Sequence, residues 1–276
     1  MATPKNIRSI YSSLKAFRFP EHLAALESGG VRAPIQIRLK PINACNHNCW
    51  YCAYRADDLE LGNQMNLKDR IPAAKMREIV ADIIAMGVKA VTFTGGGEPL
   101  IYPEIAETAL ALAQGGVKVA TLTNGANLKG EAAEVFARHG AWVRVSMDAW
   151  DGPSYARARR VADGEYSKIQ ANIAAFAKAA KTCLIGISYV IEAENAAHIA
   201  SFCRQARDLG VRNVTISGGV VANDSRENNR YHAGIAQTVR AQIEECRALD
   251  GPCFQVIDHY HEMDERFDKD YARCPF

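Results

Sequence analysis

At 276 residues the chain exceeds one ordinary domain but suits a single α/β barrel of about 200–250 residues with a short extension. Its 48% hydrophobic and 23% charged residues supply a sizeable core and exclude fibrous and disordered classes. A net charge of +2 with scattered Lys and Arg gives no electrostatic nucleic-acid footprint, and no apolar run of about 18 residues offers a membrane span.

In chain order, an amphipathic segment from Ile7 to Leu26 reads as a helix interrupted at Pro20 and stopped at Gly29-Gly30. The stretch Met1 to Phe19 is broken by Lys5, Arg8, Lys15 and Arg18, so it is no export signal. Eight cysteines without such a signal read as metal ligands and core thiols in a reducing cytosol. Apolar, β-branched runs then recur at Ile35 to Leu39, Ala90 to Thr94, Val117 to Thr123, Trp142 to Met147, Cys183 to Ile191 and Asn213 to Ser217.

Between most of them lie segments of helical spacing: Ala73 to Met86, Glu104 to Ala113, Glu131 to His139, Tyr166 to Ala180 and Ala196 to Leu209. Gly87, Gly115, Gly140 and Gly210 stand where left-handed helix stops are expected. This βα rhythm predicts an α/β fold with six parallel strands, as a partial (β/α)6 TIM-like barrel or an open doubly wound sheet. Beyond it, Asn223 to Arg230 reads as a polar linker, Tyr231 to Leu249 as one helix, and Cys253 to Ile257 as a strand-like run before a charged tail. The expected units are an N-terminal helical segment over 1–34, the barrel over 35–222 and a C-terminal extension over 223–276.

Directly after the first strand stands Cys45-Asn-His-Asn-Cys49-Trp-Tyr-Cys52. Steps of four and three residues let one loop aim three thiolates at three corners of an iron-sulfur cube. An electron-transfer cluster takes four cysteines, whereas three leave one iron open for chemistry, as open positions mark catalytic zinc sites. A zinc knuckle with His47 as fourth ligand, or three core thiols, are the competing readings of this motif alone.

After the second strand comes Thr94-Gly95-Gly96-Gly97-Glu98-Pro99. Its glycines admit close backbone approach and Glu98 suits an ammonium group, although a plain strand-to-helix turn would look the same. As a phosphate cradle it fails, because no lysine follows and Glu98 would repel the anion.

Together the two motifs resemble the radical S-adenosylmethionine (SAM) superfamily, whose signature is this cysteine spacing with an aromatic residue, here Tyr51, before the last cysteine, and a Gly-Gly-Glu segment on strand two. The resemblance spans roughly Ile35 to Gly218 and implies a partial six-stranded barrel binding a 4Fe-4S cluster through Cys45, Cys49 and Cys52. It further implies that SAM is chelated at the open iron, with Tyr51 against the adenine and Gly96, Gly97 and Glu98 at the methionine amino group. Thr123, Asn124, Ser146 and Asp148 stand at strand ends that meet the ribose and carboxylate. Tyr155 and Arg159 match a downstream pair, and Arg159 either meets the SAM carboxylate or is a solvated helix residue. Adenine and substrate contacts are expected on strands five and six, around Gly186 to Val190 and Ser217.

The implied reaction is reductive cleavage of SAM to a 5′-deoxyadenosyl radical that abstracts hydrogen from a peptide, sugar nucleotide or nucleotide. An electron donor such as flavodoxin or ferredoxin is implied as partner. Cys183 and Cys203 read as core thiols. Cys246, Cys253 and Cys274 fall where relatives bind an auxiliary cluster, which this chain would hold only as part of a longer one. Cys274-Pro275-Phe276 favours an entry into such a domain over a short tail. Asp258 to Glu262 reads as solvated surface. The alternatives in other classes are a non-catalytic zinc or iron-sulfur scaffold and an ordinary barrel enzyme using strand-end acids.

Overall fold

A computed structural model describes residues 17–55 and 65–260. Helix α1 is Pro20–Glu27, with Pro20 in its first turn instead of interrupting it; the earlier part of the expected helix, up to residue 16, lies outside the described residues. There follow β1 (Gln36–Leu39), α2 (Ala73–Ala85), β2 (Ala90–Phe93), α3 (Ile105–Gln114), β3 (Lys118–Thr123), α4 (Gly130–His139) and β4 (Gly140–Ser146). Then come α5 (Gly152–Arg159), α6 (Glu165–Ala179), β5 (Leu184–Ile191), α7 (Ile199–Asp208), β6 (Asn213–Gly218), α8 (Ser225–Ala233), α9 (Ala236–Cys246) and β7 (Gln255–Asp258).

The strands form one parallel sheet in the order β1-β2-β3-β4-β5-β6-β7. Sequential parallel order with right-handed crossovers puts every helix on one face and leaves the other as a lumen, which is the barrel alternative and not the doubly wound one. The helix face is apolar: Phe93 meets Phe136 of α4 with ring centroids 6.1 Å apart, and Tyr189 stacks on Phe202 of α7 at 4.4 Å. Alternate residues therefore face the lumen, in rows set by register. Arg38, Thr92, Ala120 and Trp142 form one row, and Arg144, Gly186, Asn213 and Gln255 another. Ser146, Ser188 and Thr215 form a third, nearer the strand ends.

Several expectations are corrected. The sheet has seven strands, because Gln255–Asp258 adds beside β6 past residue 222. Asn223 to Arg230 is not a linker: Asp224 caps α8, accepting from the Arg226 N–H at 2.6 Å, and the buried Asn228 side chain accepts from Val221 N–H at 2.8 Å and donates to Ala222 O at 2.6 Å. Polar composition there reflects an exposed helix, and the single helix expected from Tyr231 breaks at Gly234 and Ile235.

Gly87 and Gly210 are left-handed stops with φ of 71° and 85°, but at the next site Gly116 takes that role with φ 81° while Gly115 stays at −74°. Gly140 is extended, with φ −67°, because α4 runs straight into β4; a Cβ there would stand 2.5 Å from Phe136 O and 2.9 Å from Cys183 Sγ. Helix α5 was not among the expected segments, although its signal is local: Asp151 and Ser154 form a capping box around Pro153.

Candidate active site

The cysteine loop starts where β1 ends and is sewn to two neighbours. Gly97 N–H donates to Ile42 O at 3.0 Å and Glu98 N–H to Ala44 O at 2.9 Å. The glycines permit this approach: a Cβ on Gly97 would overlap the Ala44 carbonyl, and one on Gly96 would lie 2.6 Å from Asn43 Oδ1. On the other side, Asn48 N–H donates to Arg159 O at 3.0 Å and Trp50 N–H to Ala158 O at 3.3 Å, so the last turn of α5 carries the loop.

The three thiols are half-buried. Burial raises the pKa of Cys45 and Cys52, partly offset by backbone N–H donors and by Arg55. Thiols in such a place need a compensating positive charge to bind as thiolates. Arg159 supplies one, with Nη1 3.3 Å from Cys49 Sγ. It is 4% exposed, which overturns the solvated-helix reading. Its other arm forms a buried ion pair with Asp148. Burial works against that charge, but Tyr51, Cys49 and Asp148 outweigh it and hold the Arg159 pKa well above its ordinary value.

Asp148 is left-handed, with φ 52°, and all three of its oxygens accept hydrogen bonds. Its carboxylate accepts from Arg159, from the Tyr51 hydroxyl and, at 2.6 Å, from Val190 N–H. The fully buried Asn195 holds the kink, donating to Asp148 O at 3.1 Å and Val190 O at 2.8 Å and accepting from Glu192 N–H at 2.9 Å. Asn195 escaped the sequence reading; it stands beyond Glu192, Ala193 and Glu194 after β5, whereas Asn124 follows β3 directly.

Glu98, buried, accepts from Leu100 N–H at 2.9 Å, Thr123 Oγ1 at 2.6 Å and Asn124 N–H at 2.7 Å. Burial raises its pKa against these donors. The carboxylate thus ties the ends of β2 and β3 together. Asn124 in turn contacts His47 Nδ1 at 2.7 Å and Asn46 Oδ1 at 2.7 Å. His47 Nε2 lies 3.3 Å from Tyr155 OH, and burial followed by Arg159 lowers its pKa to about 4. Both ring nitrogens are engaged, which opposes the zinc knuckle. Ser146 sits one row below Asp148, beside Ser188.

A further acid beyond the strand ends is Glu192, 8% exposed after β5, whose pKa burial and then Asp148 push up to about 7. Cys203 and Cys246 are both fully buried free thiols in side-chain contact between α7 and α9, whereas Cys253 is exposed. Cys274, His261 and Glu262 lie outside the described residues.

The fit to an anionic cluster rests on donors as well as thiols. Nε of Arg55 and Nε of Arg159 are buried beside the cysteine loop without a hydrogen-bond partner among the described residues. Buried donors of this kind call for an acceptor, and a thiolate-ligated iron-sulfur cluster presents sulfurs of that character.

Comparisons with known proteins agree with this geometry. The family model described as "Radical SAM superfamily" matches residues 39–206. A "GTP 3',8-cyclase" of Aeromonas hydrophila is 32% identical over 132 residues, 47% of this chain and 38% of its own. An "S-adenosylmethionine-dependent nucleotide dehydratase" of Lacinutrix mariniflava is 29% identical over 124 residues, 44% of this chain and 25% of its own. The matched segments thus span well under half of these curated relatives. Among solved structures, Streptococcus suis SuiB bound to S-adenosylmethionine superposes with a TM-score of 0.67 at 15% identity, covering 90% of this chain and 56% of that one. The protein anSMEcpe with bound AdoMet gives 0.60 at 16%, covering 81% and 64%. At these identities the structures speak for the fold.

Proposed function

We propose, from the premise that the chain belongs to the radical SAM superfamily, that it cleaves SAM reductively at the rim and abstracts a hydrogen from a substrate in the lumen. The superfamily's 4Fe-4S cluster and SAM supply, when bound, one electron and a 5′-deoxyadenosyl radical able to remove that hydrogen. The observation carrying this reading is the three-thiol loop clamped against Arg159, whose charge faces Cys49 while Asp148 fixes its direction.

In this reading Cys45, Cys49 and Cys52 hold three irons. Arg159 offsets the negative charge of the thiolates and, with Arg55, donates toward the cluster. Gly96 and Gly97 bring backbone, not side chain, to the SAM amine. Glu98 is committed first to Thr123 and Asn124, so its role at the amine runs through one remaining acceptor site on a fixed carboxylate. Tyr51 is oriented by Asp148, which places its ring beside Arg159, 5.6 Å from the guanidinium. Thr123, Asn124 and Ser146 present polar atoms along the same rim. An electron donor of the flavodoxin or ferredoxin kind and a reducing cytosol complete the proposal. The structures similar in fold include SuiB bound to its precursor peptide SuiA, so a peptide is the second reading of the substrate.

The test is anaerobic reconstitution with iron and sulfide, then dithionite and SAM, with chromatographic detection of 5′-deoxyadenosine. We expect about four irons per chain and 5′-deoxyadenosine from the parent protein, and none from Cys49→Ala. A loaded cluster that yields no 5′-deoxyadenosine, or one zinc per chain, overturns the proposal.

A further inference from the structure

Asn43 stands two residues before Cys45, where the chain leaves β1, and its backbone is sewn to the segment 65–71 that leads into α2. Ile42 pairs antiparallel with Arg70, Asn43 N–H donates to Asp69 O at 2.9 Å, and Ile71 N–H donates to Pro41 O at 2.9 Å. A turn on that segment closes on its own side chain: Asn66 Oδ1 accepts from Lys68 N–H at 3.1 Å and Asn66 Nδ2 donates to Asp69 Oδ1 at 2.8 Å. The Asn66 carbonyl is left facing Asn43, whose Nδ2 donates to it at 2.9 Å.

That bond sets the direction of the Asn43 amide, because a carbonyl oxygen attracts the amide NH2 and repels the amide oxygen. Oδ1 is therefore the end that meets the glycine run, 2.6 Å from where a Cβ on Gly96 would stand. The absence of a side chain on Gly96 is what lets the amide oxygen come so close to this backbone. Met65 Sδ lies 3.1 Å from the same position and is only a weak acceptor. No donor among the described residues meets Asn43 Oδ1.

The group expected at Gly96 is the amine of SAM. An amine that gives its lone pair to iron keeps two N–H donors, and each needs an acceptor once water is excluded. Glu98 already accepts from Leu100 N–H, Thr123 Oγ1 and Asn124 N–H, which leaves one of the roughly four acceptor positions of a carboxylate. One donor is left over, and the unmet side-chain oxygen beside Gly96 belongs to Asn43.

We propose that Asn43 is a further residue of the SAM site, its amide oxygen accepting a hydrogen bond from the methionine amine beside Gly96. This rests on the reading that SAM binds at the rim. Asn66 acts through Asn43 as a positioning residue, its carbonyl holding the amide in the orientation that offers the oxygen.

The experiment is calorimetric titration of SAM, and of its deaminated analogue in which hydrogen replaces the amino group, into the cluster-loaded full chain, with binding expressed per loaded cluster. The parent should prefer SAM. Asn43→Ala should weaken SAM binding by about tenfold or more and leave the affinity for the analogue unchanged. Asn43→Asp keeps the shape and the acceptor and gives up only the donor to Asn66 O, so it should load iron as the parent does and keep the preference for SAM. If Asn43→Ala takes up no iron, the preference measured in Asn43→Asp decides alone. Parent-like SAM binding by Asn43→Ala, equal weakening of SAM and analogue, or loss of the preference in Asn43→Asp overturns the proposal. A parent protein that neither binds SAM nor yields 5′-deoxyadenosine fails the reading of the rim itself; a parent that does both, beside an Asn43→Ala variant with undiminished preference, fails only the assignment of Asn43.

Discussion

Asp148 concentrates the strain and the charge of the rim in one residue. Its left-handed backbone is tolerated because Asp suffers less there than bulkier residues, and because Asn195 binds the adjoining carbonyl. Removing the carboxylate leaves Arg159 buried without its carboxylate partner, so Asp148→Ala should cost about 3–5 kcal/mol, read as a large drop in thermal midpoint. Glu192 makes a pH prediction. Its folded pKa of about 7 lies above the ordinary carboxylate value of 4.5, so between these the folded state retains a proton the unfolded state has lost. Stability is therefore highest below pH 4.5 as far as this group goes, and falls as pH rises to about 7. Glu192→Gln should flatten that slope, gaining stability relative to the parent at pH 8 and none at pH 4.5. Equal midpoint profiles across this range would sink the assignment.

At the scale of elements, the site is a junction of three segments: the cysteine loop, the glycine run after β2 and the end of α5. The loop has little secondary structure of its own and takes its shape from backbone hydrogen bonds to Gly97, Glu98, Ala158 and Arg159. Gly97→Ala should push the loop away from the β2 end, since the added methyl overlaps the Ala44 carbonyl. We expect iron content after reconstitution to fall to a small fraction of the parent value while the circular dichroism of the α/β fold is kept. Full iron loading in that variant would show that the loop tolerates the displacement.

For the whole molecule, β7 matters beyond its four residues. It covers β6, which would otherwise be an exposed apolar edge, and buries Val256 and Ile257. A chain ended at Leu249 should lose cooperative unfolding or aggregate, as seen by light scattering, whereas one ended at Tyr260 should not. The described helices include none long and apolar enough to cross a membrane.

The sequence by itself determined the six strands of the βα repeat, the cysteine loop and the glycine run, because each depends on neighbours within a few positions: β-branched runs, spacing of three and four, consecutive glycines. It misjudged the segment after Gly218, where a polar surface hid a capped helix and a short strand had no partner until the sheet supplied β6. Only the tertiary structure decided that Arg159 is buried against Cys49, that Glu98 latches Thr123 and Asn124, and that His47 is bound on both nitrogens. It alone set the polar side chains of β4 to β7 in rows. Those facts join residues dozens of positions apart, and their energies depend on burial and distance, which local spacing does not encode.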